Sequence, residues 1–92
     1  MDIGRVVFSK AGRDKNRAFI VVSAGGEYLF LADGNLHLLE KPKKKKMRHI
    51  QPTNTVIEDI RYKLENDKYI SNADLRKALL PFSPRDAQEA KL

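Results

Sequence analysis

Short apolar runs separated by turn-forming residues fill the first half of the chain, and a helical period replaces them at Asn54. Ile3 to Ser9 reads as a strand with Val6 and Phe8 on one face and Arg5, Val7 and Ser9 on the other. Ala11 to Arg17 is a turn-rich connection. Ala18 to Ser23 is continuously apolar and rich in β-branched residues, the mark of a strand buried on both faces. Ala24-Gly25-Gly26-Glu27 turns the chain into Tyr28 to Ala32, and Asp33-Gly34-Asn35 signals a tight turn before a fourth apolar run, Leu36 to Glu40. Within the basic stretch Lys41 to Lys46, the run Lys43 to Lys46 reads as extended and hydrated, because four adjacent like charges repel and cannot all be paired in so small a domain. Met47 to Gln51 gives a fifth short strand, stopped by Pro52. The dense spacing of strands and turns predicts a mainly β fold. About five strands of this length can close into a small barrel, and closure would remove exposed edges.

From Thr55 the apolar positions Val56, Ile57, Ile60 and Leu64 fall on one helical stripe, with Glu58, Asp59, Tyr62, Lys63 and Glu65 elsewhere. Thr55 and Glu58 have the spacing of a capping box, in which each side chain satisfies the other residue's free backbone N–H. A second box, Ser71 with Asp74, opens a helix that turns Leu75, Ala78 and Leu79 inward and stops before Pro81, with Ile70 placed to staple against Leu75. The expected organisation is a barrel over 1–52, two short helices over 53–82, and a frayed tail over 83–92. The helices either cover an open face of the barrel or dock on a protein partner through residues 55–80.

The 92 residues carry 18 Lys+Arg against 12 Asp+Glu, a net charge of +6. All of that excess lies in residues 1–52, with 11 basic and 5 acidic side chains; residues 53–92 are balanced at seven of each. The asymmetry predicts an anionic partner for the first part. The chain has no cysteine, which excludes disulfides, thiolate metal sites and a cysteine nucleophile. No apolar run approaches the roughly 20 residues of a membrane span, and Met1 to Arg5 has no signal-peptide character, so a cytoplasmic protein without membrane contact is expected. His37 and His49 have no partner at metal-ligand spacing, and read as surface or RNA-facing side chains. There is no glycine-rich phosphate cradle opening a helix, no nucleophile elbow and no carboxylate pair set up for acid–base work. No catalysis and no cofactor are expected.

The segment from Gly4 to Val22 joins a strand, the basic glycine-bearing loop Ser9-Lys10-Ala11-Gly12-Arg13-Asp14-Lys15-Asn16-Arg17, and an apolar strand. It resembles the KOW motif of ribosomal proteins and transcription elongation factors. Together with Gly4-Arg5-Val6-Val7, Asp33-Gly34-Asn35-Leu36 and Glu40 to Lys46, residues 3–52 resemble the small bacterial KOW-domain RNA-binding proteins related to a large-subunit ribosomal protein of archaea and eukaryotes. The resemblance implies an SH3-like barrel that contacts RNA, with ribosomal RNA or a ribosomal particle as partner. Asn16 departs from the pattern, standing where the family has glycine. The position requires a positive φ, which asparagine adopts more readily than other non-glycine residues.

Two basic clusters are the candidate RNA-binding residues. Lys10, Arg13, Lys15 and Arg17 lie on the loop between the first two strands, where anchoring on a barrel lowers the cost of ordering them. Each can neutralise a phosphate, and arginine adds a planar fork for bidentate contact or stacking. Asp14 is expected to turn this loop through an Asx-type bond. The second cluster is Lys41, Lys43, Lys44, Lys45, Lys46 and Arg48, a tract that reads phosphate density rather than base sequence. Phe8, Phe19, Tyr28 and Phe30 serve either the core or base stacking, with Tyr28 the best placed to be exposed. An alternative use of the same barrel is as a protein-interaction module without RNA contact.

Overall fold

The computed structural model describes residues 1–82, and the tail over 83–92, for which fraying is expected, lies outside the described residues. The fold is mainly β: β1 (Arg5–Ser9), β2 (Ala18–Gly25), β3 (Tyr28–Ala32), β4 (Lys43–Lys46) and β5 (Ile50–Val56) are followed by α1 (Glu58–Glu65) and α2 (Asn72–Leu79). All strands pair antiparallel in one sheet of order β4-β3-β2-β1-β5. A single 3-10 turn, Met47–His49, links the two outer strands. The mainly β fold with five strands and two following helices is the one expected.

The sheet is curved because two register shifts bend it, one between Arg5 and Val7 against β5, the other between Val21 and Ser23 against β3. Its inner face packs on itself through Val7, Phe19, Val21, Leu29, Leu31 and Ile50. Its outer face presents Val6, Ile20 and Ala32, which Ile60 of α1 and Leu75 and Leu79 of α2 cover. Phe19, Ile20 and Val21 are all fully buried, so β2 is enclosed on both sides as its apolar run predicts. The helices therefore extend the core rather than stand apart from it. Each of their buried aliphatic side chains contributes about 1.5–3 kcal/mol.

Two glycines let the helices approach. A Cβ at Gly4 (φ +89°) would lie 2.8 Å from Arg61 Cβ of α1. A Cβ at Gly34 (φ +77°) would collide with the Asn72 carbonyl oxygen at the start of α2.

Several expectations are corrected. Leu36 to Glu40 is not a strand: Asp33 Oδ1 accepts from the backbone N–H of Asn35 (3.0 Å) and of His37 (2.9 Å), which closes this stretch into a turn. The turn docks on α2, where Asn72 Oδ1 accepts from Leu39 N at 2.9 Å and Arg76 donates to the Gly34 carbonyl at 2.6 Å. The fourth strand is instead Lys43–Lys46, because the open edge of β3 supplies ladder partners from Tyr28 to Leu31. The last strand does not stop at Pro52 but runs through it to Val56, which moves the barrel boundary past 52; proline is tolerated because β5 is an edge strand. Thr55 consequently lies in β5 and caps nothing, and α1 starts after Ile57 with no side-chain cap. The Ser71–Asp74 box is present in both directions. Finally, no ladder joins β4 to β5. The edges are not abolished by closure; four lysines on one and Pro52 on the other blunt them.

Candidate nucleic-acid interface

The loop over 10–17 is tightly bonded despite its turn-rich sequence. Asn16 N donates to the Ser9 carbonyl at 2.8 Å, Arg17 N to the Asp14 carbonyl at 2.9 Å, and Lys15 N to the Gly12 carbonyl at 3.2 Å. Two left-handed residues make this path possible, Gly12 at φ +77° and Asn16 at φ +71°. Asparagine thus takes the left-handed conformation expected at position 16. The backbone holds Lys10, Arg13, Lys15 and Arg17 exposed at one end of the sheet.

Two lysines of the second basic cluster, Lys43 and Lys45, some thirty residues on in the chain, reach this loop. Lys10 N donates to the His49 carbonyl at 2.8 Å, tying the loop to the 3-10 turn. Lys45 Nζ donates to the Ala11 carbonyl at 2.8 Å, and Lys43 Nζ lies 3.0 Å from Asp14 Oδ2. Both stitches come from β4, whose odd-numbered lysines pair in register with Leu31 and Leu29 and so reach over the inner-face core. Lys44 and Lys46 alternate to the other face, opposite Phe30 and Tyr28. The Lys44 ammonium sits 4.3 Å from the centre of the Tyr28 ring, a cation–π contact that occupies the aromatic face otherwise available to a base.

The expectation that the lysine run stays a free, hydrated loop is therefore wrong in detail. Three of its four lysines have a partner within the fold, which fixes their direction. Lys41 and Arg48 flank the strand and are exposed. Among the described residues, no carboxylate pairs with Lys10, Arg13, Lys15, Arg17, Lys41, Lys44, Lys45, Lys46 or Arg48; of the candidate cations, only Lys43 is neutralised.

Asp14 is the residue whose role the sequence missed. Its carboxylate makes no Asx-type turn; it is 6% exposed and faces Lys43 together with His37, whose Nε2 lies 3.5 Å from the same oxygen. Burial alone would push the carboxyl up, but the hydrogen bond and charge of Lys43, joined by His37, outweigh it and hold Asp14 below the usual carboxylate range. The His37 ring in turn lies against buried Phe19, with centroids 5.6 Å apart, so His37 is half-buried against the inner-face core. The signal available in the sequence was a lone acid amid four cations on one loop.

Near Lys10 and Lys15 an open groove is floored by Phe8 and edged by Asn16 and Gln51. Phe8 itself packs against Phe82 at 6.4 Å between centroids. Among the described residues no three His, Asp or Glu side chains converge as metal ligands, and no helix is long and apolar enough to cross a membrane. No protein-family model matches the chain, and no curated protein matches it in sequence.

Proposed function

We propose that this is a non-catalytic, cytoplasmic RNA-binding protein that grips the backbone of structured RNA, with ribosomal RNA or a ribosomal particle as its target. The observation that carries the RNA reading is the stitching of β4 to the 10–17 loop. It gathers Lys10, Arg13, Lys15, Arg17 and Lys45 at one pole of the sheet, with Lys44 and Lys46 continuing along the β4 edge toward Arg48. Fixed cations pay less ordering entropy than a disordered tail on meeting phosphate. The ribosomal target rests on the resemblance of residues 3–52 to the KOW proteins alone.

The test is sedimentation with ribosomal particles, and titration against ribosomal RNA fragments, across a range of salt. If about five phosphates are neutralised, log K falls with log salt at a slope near −4, about two hundredfold between 50 and 200 mM. Arg13→Glu with Lys15→Glu, both exposed and outside the stitches, is expected to weaken binding about tenfold or more without altering the circular dichroism. Binding that survives high salt and these reversals would overturn the RNA reading in favour of a protein-interaction module. Equal affinity for duplex DNA at matched salt would point to a general nucleic-acid binder.

A further inference from the structure

A carboxylate on a phosphate-binding loop opposes the loop's own purpose, and burying it adds a desolvation cost. Every other charge between Lys10 and Arg17 is positive. Yet Asp14 lies beneath the loop, 3.0 Å from Lys43 of β4 and 3.5 Å from His37 in the turn that docks on α2. Its two neighbours in the chain, Arg13 and Lys15, are exposed. The one buried side chain of the loop is thus its acid, flanked on both sides by the cations it would direct outward. It is also the side chain of the loop that touches two separate segments of the sheet's rim, beside the bonds that the Ala11 carbonyl and Lys10 N make to Lys45 and His49. We propose that Asp14 is a positioning residue for RNA binding: it clasps the 10–17 loop to β4 and His37 so that Arg13, Lys15 and Arg17 face the phosphates as a fixed set.

This rests on the RNA reading above, and its sign separates it from plain electrostatics. Asp14→Asn removes a negative charge from a cationic surface. Charge alone makes the variant bind RNA tighter; loss of the clasp makes it bind weaker.

The experiment is anisotropy of a fluorescein-labelled ribosomal RNA hairpin between 50 and 200 mM salt, with folding checked by circular dichroism. Folded Asp14→Asn is expected to bind about five- to tenfold more weakly than the wild type, with the salt slope shallower by about one to two because fewer cations reach phosphate together. Folded Asp14→Asn that binds as tightly as the wild type, or tighter, overturns the clasp. A matched pair carries the test should that variant fail to fold. Lys43→Gln and Lys44→Gln each remove one positive charge from β4, but only Lys43 holds Asp14. The clasp requires Lys43→Gln to lose about fivefold more affinity than Lys44→Gln, and equal losses overturn it. A wild-type protein that shows no salt-dependent RNA binding overturns the RNA reading itself, an outcome distinct from either.

Discussion

Single residues decide whether the loops and helices can come together. Gly34 combines a φ of +77° with direct contact against the Asn72 carbonyl, so Gly34→Ala meets a backbone penalty of about 1–2 kcal/mol and overpacking of about 1–3 kcal/mol. A loss of thermal stability by that sum is expected, whereas Gly25→Ala, with open space around it, should cost little. Asn16 provides a contrast, since its φ of +71° suits glycine better still, and Asn16→Gly should be neutral or mildly stabilising in urea unfolding. For Asp14 the folded carboxyl titrates below its unfolded value of about 3.9. Its stabilising contribution is therefore complete above that value and lost as pH falls through the folded one. Lys43 and His37 are the charged and titratable groups facing it. Asp14→Asn is expected to lower stability by about 2 kcal/mol at pH 7, a gap that narrows toward zero as pH falls through the folded carboxyl's lowered titration. Asp74 is also held low, by the backbone N–H and hydroxyl of Ser71, so only the difference between wild type and variant isolates Asp14.

At the scale of elements, legibility followed how local the cause was. The first three strands and α2 could be read because their signals are their own: alternating or continuous apolar runs, a Gly-Gly turn, and a Ser-x-x-Asp box whose two bonds measure 3.0 and 3.2 Å. Ser71→Ala is expected to cost about 1 kcal/mol in thermal unfolding. Thr55→Ala should cost less than Thr53→Ala, for it is Thr53 whose hydroxyl donates to the Val6 carbonyl at 2.7 Å and accepts from Thr55 N at 3.1 Å. The apparent box at Thr55 and Glu58 misled because the strand pairing of β5 against β1 claims Val56 first, leaving Ile57 to open the helix. Likewise four lysines carry no strand signal of their own. They are extended because β3 offers an unpaired edge and because the stems of Lys43 and Lys45 can lie over Leu31 and Leu29. Loop 10–17 was legible as a cationic connection, but its junction with β4 was not, since that depends on contacts 29 to 34 residues apart in the chain.

For the whole molecule, the sheet is a wall between two cores, and the basic pole depends on both. The inner cluster alone would leave Val6, Ile20 and Ala32, now fully buried, facing water over the area that Ile60, Leu75 and Leu79 cover. A chain ending at Val56 keeps all five strands, all ten candidate cations and the full net charge of +6, because the remainder is neutral overall. Counting charge, such a truncation should bind RNA as well as the intact protein. Packing gives the opposite expectation: a domain of 56 residues that has lost half of its core is marginal at best, and without the docked 33–42 turn His37 no longer braces Asp14. The truncated chain should show no cooperative thermal transition, and it should bind the same RNA hairpin at least about tenfold more weakly at 150 mM salt, where screening favours a preorganised array over scattered charges. Equal binding by a truncation that has lost its cooperative transition would mean that the cations act as a flexible polycation, and the scaffold would then have no part in recognition.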